Sequence, residues 1–309
     1  MGAVGSRRYL AFVKETTAGE LPDPANATKI RNTGGSGIAA QRSQLQSEEL
    51  RSDRQIEDMR LGNLGVNLEV PSEFSYGAFD ALLESLLFNE WVDGETGEPD
   101  ELVAGKQRVS LSVEEGFEDI SEYILGEGFL ANQLQLNIQP DAMVQATWSL
   151  VGLKTGDMES TSHMDDVAEA DSNSPLDSFT GRLELDDSEV AAAVGIQLTL
   201  ANGVEPKYPL FQKSAHRLLD GRSNLTGELN LDFEDDTYWN AFLNETEMKL
   251  YFELEDLAGN KYQFTIPRIK FNGNSRSVSE NDVTQTVPFA ALRDDTLGSQ
   301  IKIERVEAV

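Results

Sequence analysis

In segment after segment of this chain, apolar and polar residues alternate one for one. That period of two constrains the fold more than any other feature. Leu64–Val70, Leu130–Ile138, Val144–Leu150, Ile196–Leu200, Lys249–Leu254, Lys261–Pro267, Val283–Phe289 and Ile301–Val306 each put their apolar side chains on one face. Successive side chains of a strand point to opposite faces, so these segments read as half-buried strands. Turn dipeptides stand between several of them: Pro140-Asp141, Asn202-Gly203 and Gly259-Asn260. Such pairs favour hairpins. The expected fold is mainly β.

Two places break the period. Phe79, Leu82, Leu83, Leu86 and Leu87 fall at i, i+3, i+4, i+7 and i+8. That spacing predicts an amphipathic helix over Tyr76–Phe88 with a core-facing stripe and Ser75 as its cap. Tyr238, Trp239, Phe242 and Leu243 predict a shorter second helix. Three segments carry no such pattern. Residues 15–42 are rich in Gly, Pro, Asn and Thr and read as a long loop. Residues 41–60 are polar with charges of both signs and read as extended strands. Residues 155–178 are acidic, with no Lys or Arg, and read as a surface linker.

The chain has 309 residues, enough for two domains. The boundaries suggested are 1–154 for a first β domain, 155–178 for the linker and 179–309 for a second β domain. The halves echo one another. LGVNLEVPSEFSYGAFDALL sets against LTGELNLDFEDDTYWNAFL, and MVQATWSLVGL against VTQTVPFAALR. The match is of pattern more than identity and points to duplication.

Charge and residue usage exclude several functions. The formal net charge is −29, from 25 Lys and Arg against 54 Asp and Glu. Gripping nucleic acid over a broad surface requires cations to neutralise phosphates. The acidity still permits standing beside DNA without holding it. With no cysteine, neither disulfides nor thiolate metal sites are available. No leader-like segment opens the chain, and no apolar run is long enough to cross a membrane. His163 and His216 lack ligand-spaced partners. Asp171, Asn173 and Asp177 offer oxygens, but Leu176 stands where a calcium loop needs Gly. Gly34–Gly37 is followed by no Lys-Ser/Thr, and no Gly-x-Ser-x-Gly elbow occurs. No enzyme, cofactor or metal is expected.

The run Gln46–Trp91 holds a Ser-Glu-Glu-hydrophobic-Arg-x-Asp-Arg-Gln core, a strand, an aromatic-Gly-Ala-Phe-Asp helix and a closing Trp. It resembles the tail tube family of long, non-contractile-tailed bacteriophages. Upstream, Lys14-Glu15-Thr16-Thr17 and Ile30-Arg31-Asn32-Thr33-Gly34 fit the same pattern. Downstream, GIQLTLANGV, LLDGRSNLTGELNLDF and GNKYQFTIPRIKF look like the family's second half. The resemblance spans nearly the whole chain.

The resemblance implies a mainly β fold, a β-sandwich or half-barrel with short flanking helices, and two related tube domains are expected. It implies a structural virion protein of the siphophage type, a major tail protein assembled in the host cytoplasm. Its inner strands would join those of neighbouring subunits into one barrel. Stacked rings would then form the conduit for DNA ejection. Two tube domains per chain would close a homotrimeric, pseudo-hexameric ring, the arrangement favoured. One tube domain plus an outer domain would make a homohexamer. The implied partners are copies of itself and the tape measure, tail-tip and tail terminator proteins, with DNA passing unbound and no membrane involved. Arg31, Arg51, Asp53 and Arg54 are then expected in inter-subunit ion pairs, the alternative being exposed strand charges of little energetic weight. The loop 15–42 is expected to reach an adjacent subunit or ring. Phe79, Leu82, Leu83 and Leu86 are expected in the core. Gln133, Gln135 and Asn137 are expected to face the lumen, with a carboxylate lining equally compatible. The competing function is a virion decoration or adhesion module of β-sandwich type.

Overall fold

The computed structural model describes residues 2–308 except 36, 50, 51, 54, 57, 96 and 191. The first half runs through β1 (Arg8–Lys14), β2 (Asn26–Lys29), β3 (Ala39–Gln46), β4 (Met59–Glu73), α1 (Asp80–Leu87), β5 (Asp100–Val103), β6 (Leu111–Phe117), β7 (Glu122–Ile138) and β8 (Gln145–Gly152). Two short strands follow, β9 (Lys154–Thr155) and β10 (Asp166–Ala168). The second half begins with β11 (Gly181–Leu185), β12 (Ser188–Glu189), β13 (Ala193–Ala201), β14 (Glu205–Lys207), β15 (Arg217–Leu219) and β16 (Asn224–Asp232). It continues with α2 (Thr237–Leu243), β17 (Glu247–Glu255), β18 (Lys261–Phe271), β19 (Ser275–Val278), β20 (Val283–Ala291) and β21 (Lys302–Val306). The fold is mainly β, as the alternation predicts.

The pairings define one long antiparallel sheet in the spatial order β3-β4-β8-β7-β13-β16-β20-β19. A second layer, β11-β17-β18-β21-β5, covers one of its faces. Between the layers the inward residues of both meet: Leu134, Leu136, Trp148, Leu198, Leu229 and Phe289 from one, Leu183, Phe252, Phe264 and Ile303 from the other, all buried. A smaller sheet of β1, β2, β6, β9 and β10 packs at the side of the first half, joined by the first part of β7. β7 passes from that sheet into the long one. The passage is at Gly128, whose φ of 70° suits glycine and where a Cβ would meet Leu153 at 2.5 Å.

α1 closes the core from outside. Phe79, Leu82, Leu83 and Leu86 are all but fully buried, as their spacing predicts. Its start differs from expectation. The cap position is Phe79, and the Ser75 hydroxyl is buried without a hydrogen-bond partner. A turn at Gly77 (φ 78°) delays the helix until Asp80, whose carboxylate favours a helix N-terminus.

The acidic segment read as a surface linker is stitched into the fold instead. Leu176 is fully buried and sits between the end of β4 and the start of β8: its N–H donates to the Phe74 carbonyl at 2.8 Å, and its carbonyl accepts from Val144 at 2.9 Å. Farther upstream, the buried Glu114 carboxylate accepts from Ser162 Oγ (2.8 Å), the His163 N–H (2.6 Å) and Tyr9 Oη (2.7 Å). His163 is mostly covered as a result. A segment poor in apolar residues is thus held by hydrogen bonds to one buried carboxyl group, by the pairing of β10 with β2 and by the buried Met164 and Leu176, which periodicity does not reveal.

The loop 15–42 also folds onto its own half. Ala25, Ala27, Ile30 and Ile38 are buried, and β2 pairs with β1 and β10.

Candidate functional site

The uncovered face of the long sheet is built by register. Residues directly opposite in antiparallel strands share a face. Gln133 lies opposite Ser149 and Ala201, Gln135 opposite Thr147 and Thr199, Asn137 opposite Gln145 and Gln197. The rows of Gln135 and Asn137 continue through Thr226 and Glu228 of β16 to Ala290 and Pro288 of β20, and Thr286 and Thr284 lie on the same face opposite Asn230 and Asp232. The three residues expected to face a lumen are therefore neighbours on one surface, while Leu134, Leu136 and Ile138 point to the core. Amides and hydroxyls dominate that surface. Its carboxylates are Glu69, Glu73, Glu228 and Asp232, and the aligned rows of β8, β7, β13, β16 and β20 contain no Lys or Arg. It offers a passing polyanion neither a salt bridge nor a strong field.

Among the described residues the sheet is open along β3 and along β19, while the end of β20, Phe289–Ala291, pairs with β18 of the second layer. β3 pairs only with β4, and β19 only with β20. The side chains of β19 are all exposed, and Arg276 holds the strand by lying over the rings of Phe233 (4.4 Å) and Trp239 (5.1 Å). An open edge leaves backbone donors and acceptors unpaired and is a template for another strand.

The middle of the sheet already contains such a junction. β7 and β13 pair from Ile138↔Ile196 to Gln133↔Ala201. The strands before and after repeat a pattern. β4 pairs with β8 as β16 pairs with β20, and β3 precedes β4 as β13 precedes β16. The segments that echo in sequence thus occupy equivalent places.

Behind the junction the halves are clamped. Phe74 stacks on Tyr262 at 5.4 Å, and the Gly77 N–H donates to Tyr262 Oη at 3.0 Å. Tyr262 Oη donates to Asp80, and Arg305 bonds both Asp80 and Asp100 while covering Trp91 at 4.8 Å. Burial raises the Asp80 pKa against the opposing effects of Tyr262 and Arg305. The Gly94 N–H and Arg305 hold Asp100 below the usual carboxylate range.

One end of the sheet projects. β4 begins pairing with β8 only at Val66, so the β3–β4 hairpin extends beyond its neighbours and exposes Leu45, Met59 and Leu61. The second-half counterpart of that hairpin, residues 202–223 between β13 and β16, emerges at the same end. The Leu64 N–H donates to the Lys213 carbonyl at 2.8 Å and ties the two together. At its tip Leu210 is 83% and Phe211 103% exposed.

The charged residues expected between subunits fare differently. Arg31 turns onto its own chain, donating to the Asp171 carbonyl at 3.4 Å and to that of Asn173. Asp53 is exposed and accepts from the Gln55 N–H at 3.2 Å. Arg51 and Arg54 lie outside the described residues. Sequence reasoning missed the projecting tip, although the run 206–219 carries Lys207, Lys213 and Arg217 with no carboxylate in an acidic chain.

A family model described as phage tail tube protein matches residues 5–291. The chain belongs to that family. A search of curated proteins found no match. As a tail tube protein it is a structural component of the phage tail, and the family implies self-assembly into a tube.

Proposed function

We propose that this tail tube protein polymerises as stacked rings of three chains, each chain supplying two equivalent units, 1–154 and 179–309, to a pseudo-hexameric barrel. The observation that carries the reading is the β7–β13 pairing. The edge strand of the first unit's share of the long sheet meets the edge strand of the second unit's share there. Repeating the same joint between β19 of one copy and β3 of the next continues the sheet with no new type of contact. The rotation that relates the halves is thereby applied again between chains, and a heterologous contact that closes gives a ring. The polar face carrying Gln133, Gln135 and Asn137 becomes the inner wall. Its lack of cations lets DNA pass on ejection without the phosphate neutralisation that retains it.

The test is negative-stain electron microscopy with light scattering across a concentration series. The expected ring mass is three times the 34.0 kDa chain, with a central hole. Val278→Pro, which removes a backbone donor from the β19 edge, is expected to leave monomers. Rings of six chains, or a Val278→Pro protein that assembles normally, would overturn the three-chain reading. A folded wild type that stays monomeric even with tail-tip complexes supplied would favour the decoration module.

A further inference from the structure

The exposed tip of residues 208–213 is an unusual object on an acidic molecule. Leu210 and Phe211 stand fully in water. Phe211 also holds a left-handed backbone, φ 67°, which bulky side chains avoid. The base of the same loop is firm. Val204 and Leu218 are buried with Leu130 and Leu153 in a satellite core, and β14 and β15 pair across it. A rigid stem therefore presents an apolar tip, flanked by Lys207, Lys213 and Arg217.

The opposite end of β13 carries the complementary feature. There a cleft of about 210 Å³ is lined by Ile138, Pro140, Leu183, Val194, Ile196 and Leu254. An apolar cavity of about 150 Å³ accommodates a benzene ring. Phe179 and Met143, both exposed, extend the apolar surface beside the cleft. Its surroundings are acidic. Asp177 and Glu253 line it, with Arg182 paired to Glu253 at 3.6 Å, and a neighbouring hollow is lined by Glu189, Asp232, Glu234 and Asp235. Tip and cleft match in polarity, in charge and in size.

We propose that the 208–213 tip docks into this cleft of a second copy of the chain, lying in the next ring, with Phe211 as the inserted group. The inference rests on the ring reading above and adds the contact that stacks one ring on another. Tip and cleft lie at opposite ends of β13, so each copy offers one to the copy above and the other to the copy below. Contacts of that head-to-tail kind do not close and give an open filament.

Cysteine cross-linking tests it directly, because the chain has no cysteine of its own. The double variant Phe211→Cys, Val194→Cys puts thiols at the two ends of β13. These are separated by about 25 Å at 3.3 Å per residue, whereas a disulfide requires Cα atoms within about 7 Å. Any bond must then join two copies. Oxidised tubes are expected to give a ladder of covalent multimers, and neither single variant to exceed a dimer. In parallel, Leu210→Asp with Phe211→Asp should leave the thermal midpoint unchanged, since both side chains are exposed, and should stop assembly at single rings. Double-cysteine tubes that yield no ladder on oxidation, together with a double Asp variant that still forms long tubes, overturn the docking and leave the ring reading intact. A wild type that never forms rings overturns both.

Discussion

Glu114 is fully buried, and donors converge on its carboxyl group from β1 and from the acidic segment. Burial first, then the Glu114 hydrogen bond and charge, push the Tyr9 hydroxyl to a pKa above the ordinary phenol range. Glu114→Ala leaves several buried donors without an acceptor. The expected loss is roughly 2–4 kcal/mol, read as a lowered urea midpoint. Hydrogen exchange should report the release of residues 159–168 before global unfolding. Phe211 illustrates the opposite case, a residue whose conformation costs the isolated chain stability. Phe211→Gly removes the left-handed penalty and should raise the stability of the monomer by up to about 1 kcal/mol, while the same variant stacks poorly. A stabilising substitution that impairs assembly would separate the two roles in one calorimetric and one light-scattering measurement.

At the level of elements, the uncovered sheet face works by what it omits. Gln135→Lys with Gln197→Lys places cations on adjacent strands of that face. Assembled tubes of the variant should then bind double-stranded DNA at low salt, with an affinity that falls steeply as salt rises, whereas wild-type tubes should not. Filter binding against ionic strength measures both. Strands of this kind are legible in sequence because burial on one side imposes alternation. Phe129–Ile138 and Val144–Leu150 announce themselves, and Gln133, Gln135 and Asn137 are found together for the same reason. α1 is legible through its stripe, but its start is not. Gly77 sets the start through backbone geometry, which Ser75, a good cap by type, gives no hint of. The acidic segment misleads more deeply. Its anchors are Leu176 and one distant carboxylate, and a single apolar residue or a contact across 49 positions leaves no periodic trace. Nor does alternation reveal that β7 and β13 pair, since strand partners are chosen by the whole sheet.

On the scale of the whole molecule, the acidic surface makes stability depend on pH in a defined sense. Gly94 and Arg305 lower the pKa of Asp100, and Arg268 that of Glu247. A carboxyl whose folded pKa lies below its unfolded one contributes stability in full above the unfolded value. It loses that contribution as pH falls through the folded value. The chain should therefore lose stability from about pH 5 downwards, measured as a falling denaturant midpoint. Asp100→Asn should flatten that slope. Asp80, raised by burial, contributes in the opposite direction and blunts the transition without reversing it. The β7–β13 junction has a further consequence, which concerns timing. In a ring of six separate units, every joint is a collision between diffusing molecules. Covalent continuity through residues 139–192 makes every second joint intramolecular, at an effective concentration set by the chain rather than by the cell. On the proposed three-chain ring, closure needs three encounters instead of six, so nucleation should depend on a lower power of concentration. The two kinds of joint also come under different demands. The β7–β13 joint forms once, during folding. The β19–β3 joint must wait exposed and unpaired until a neighbour arrives.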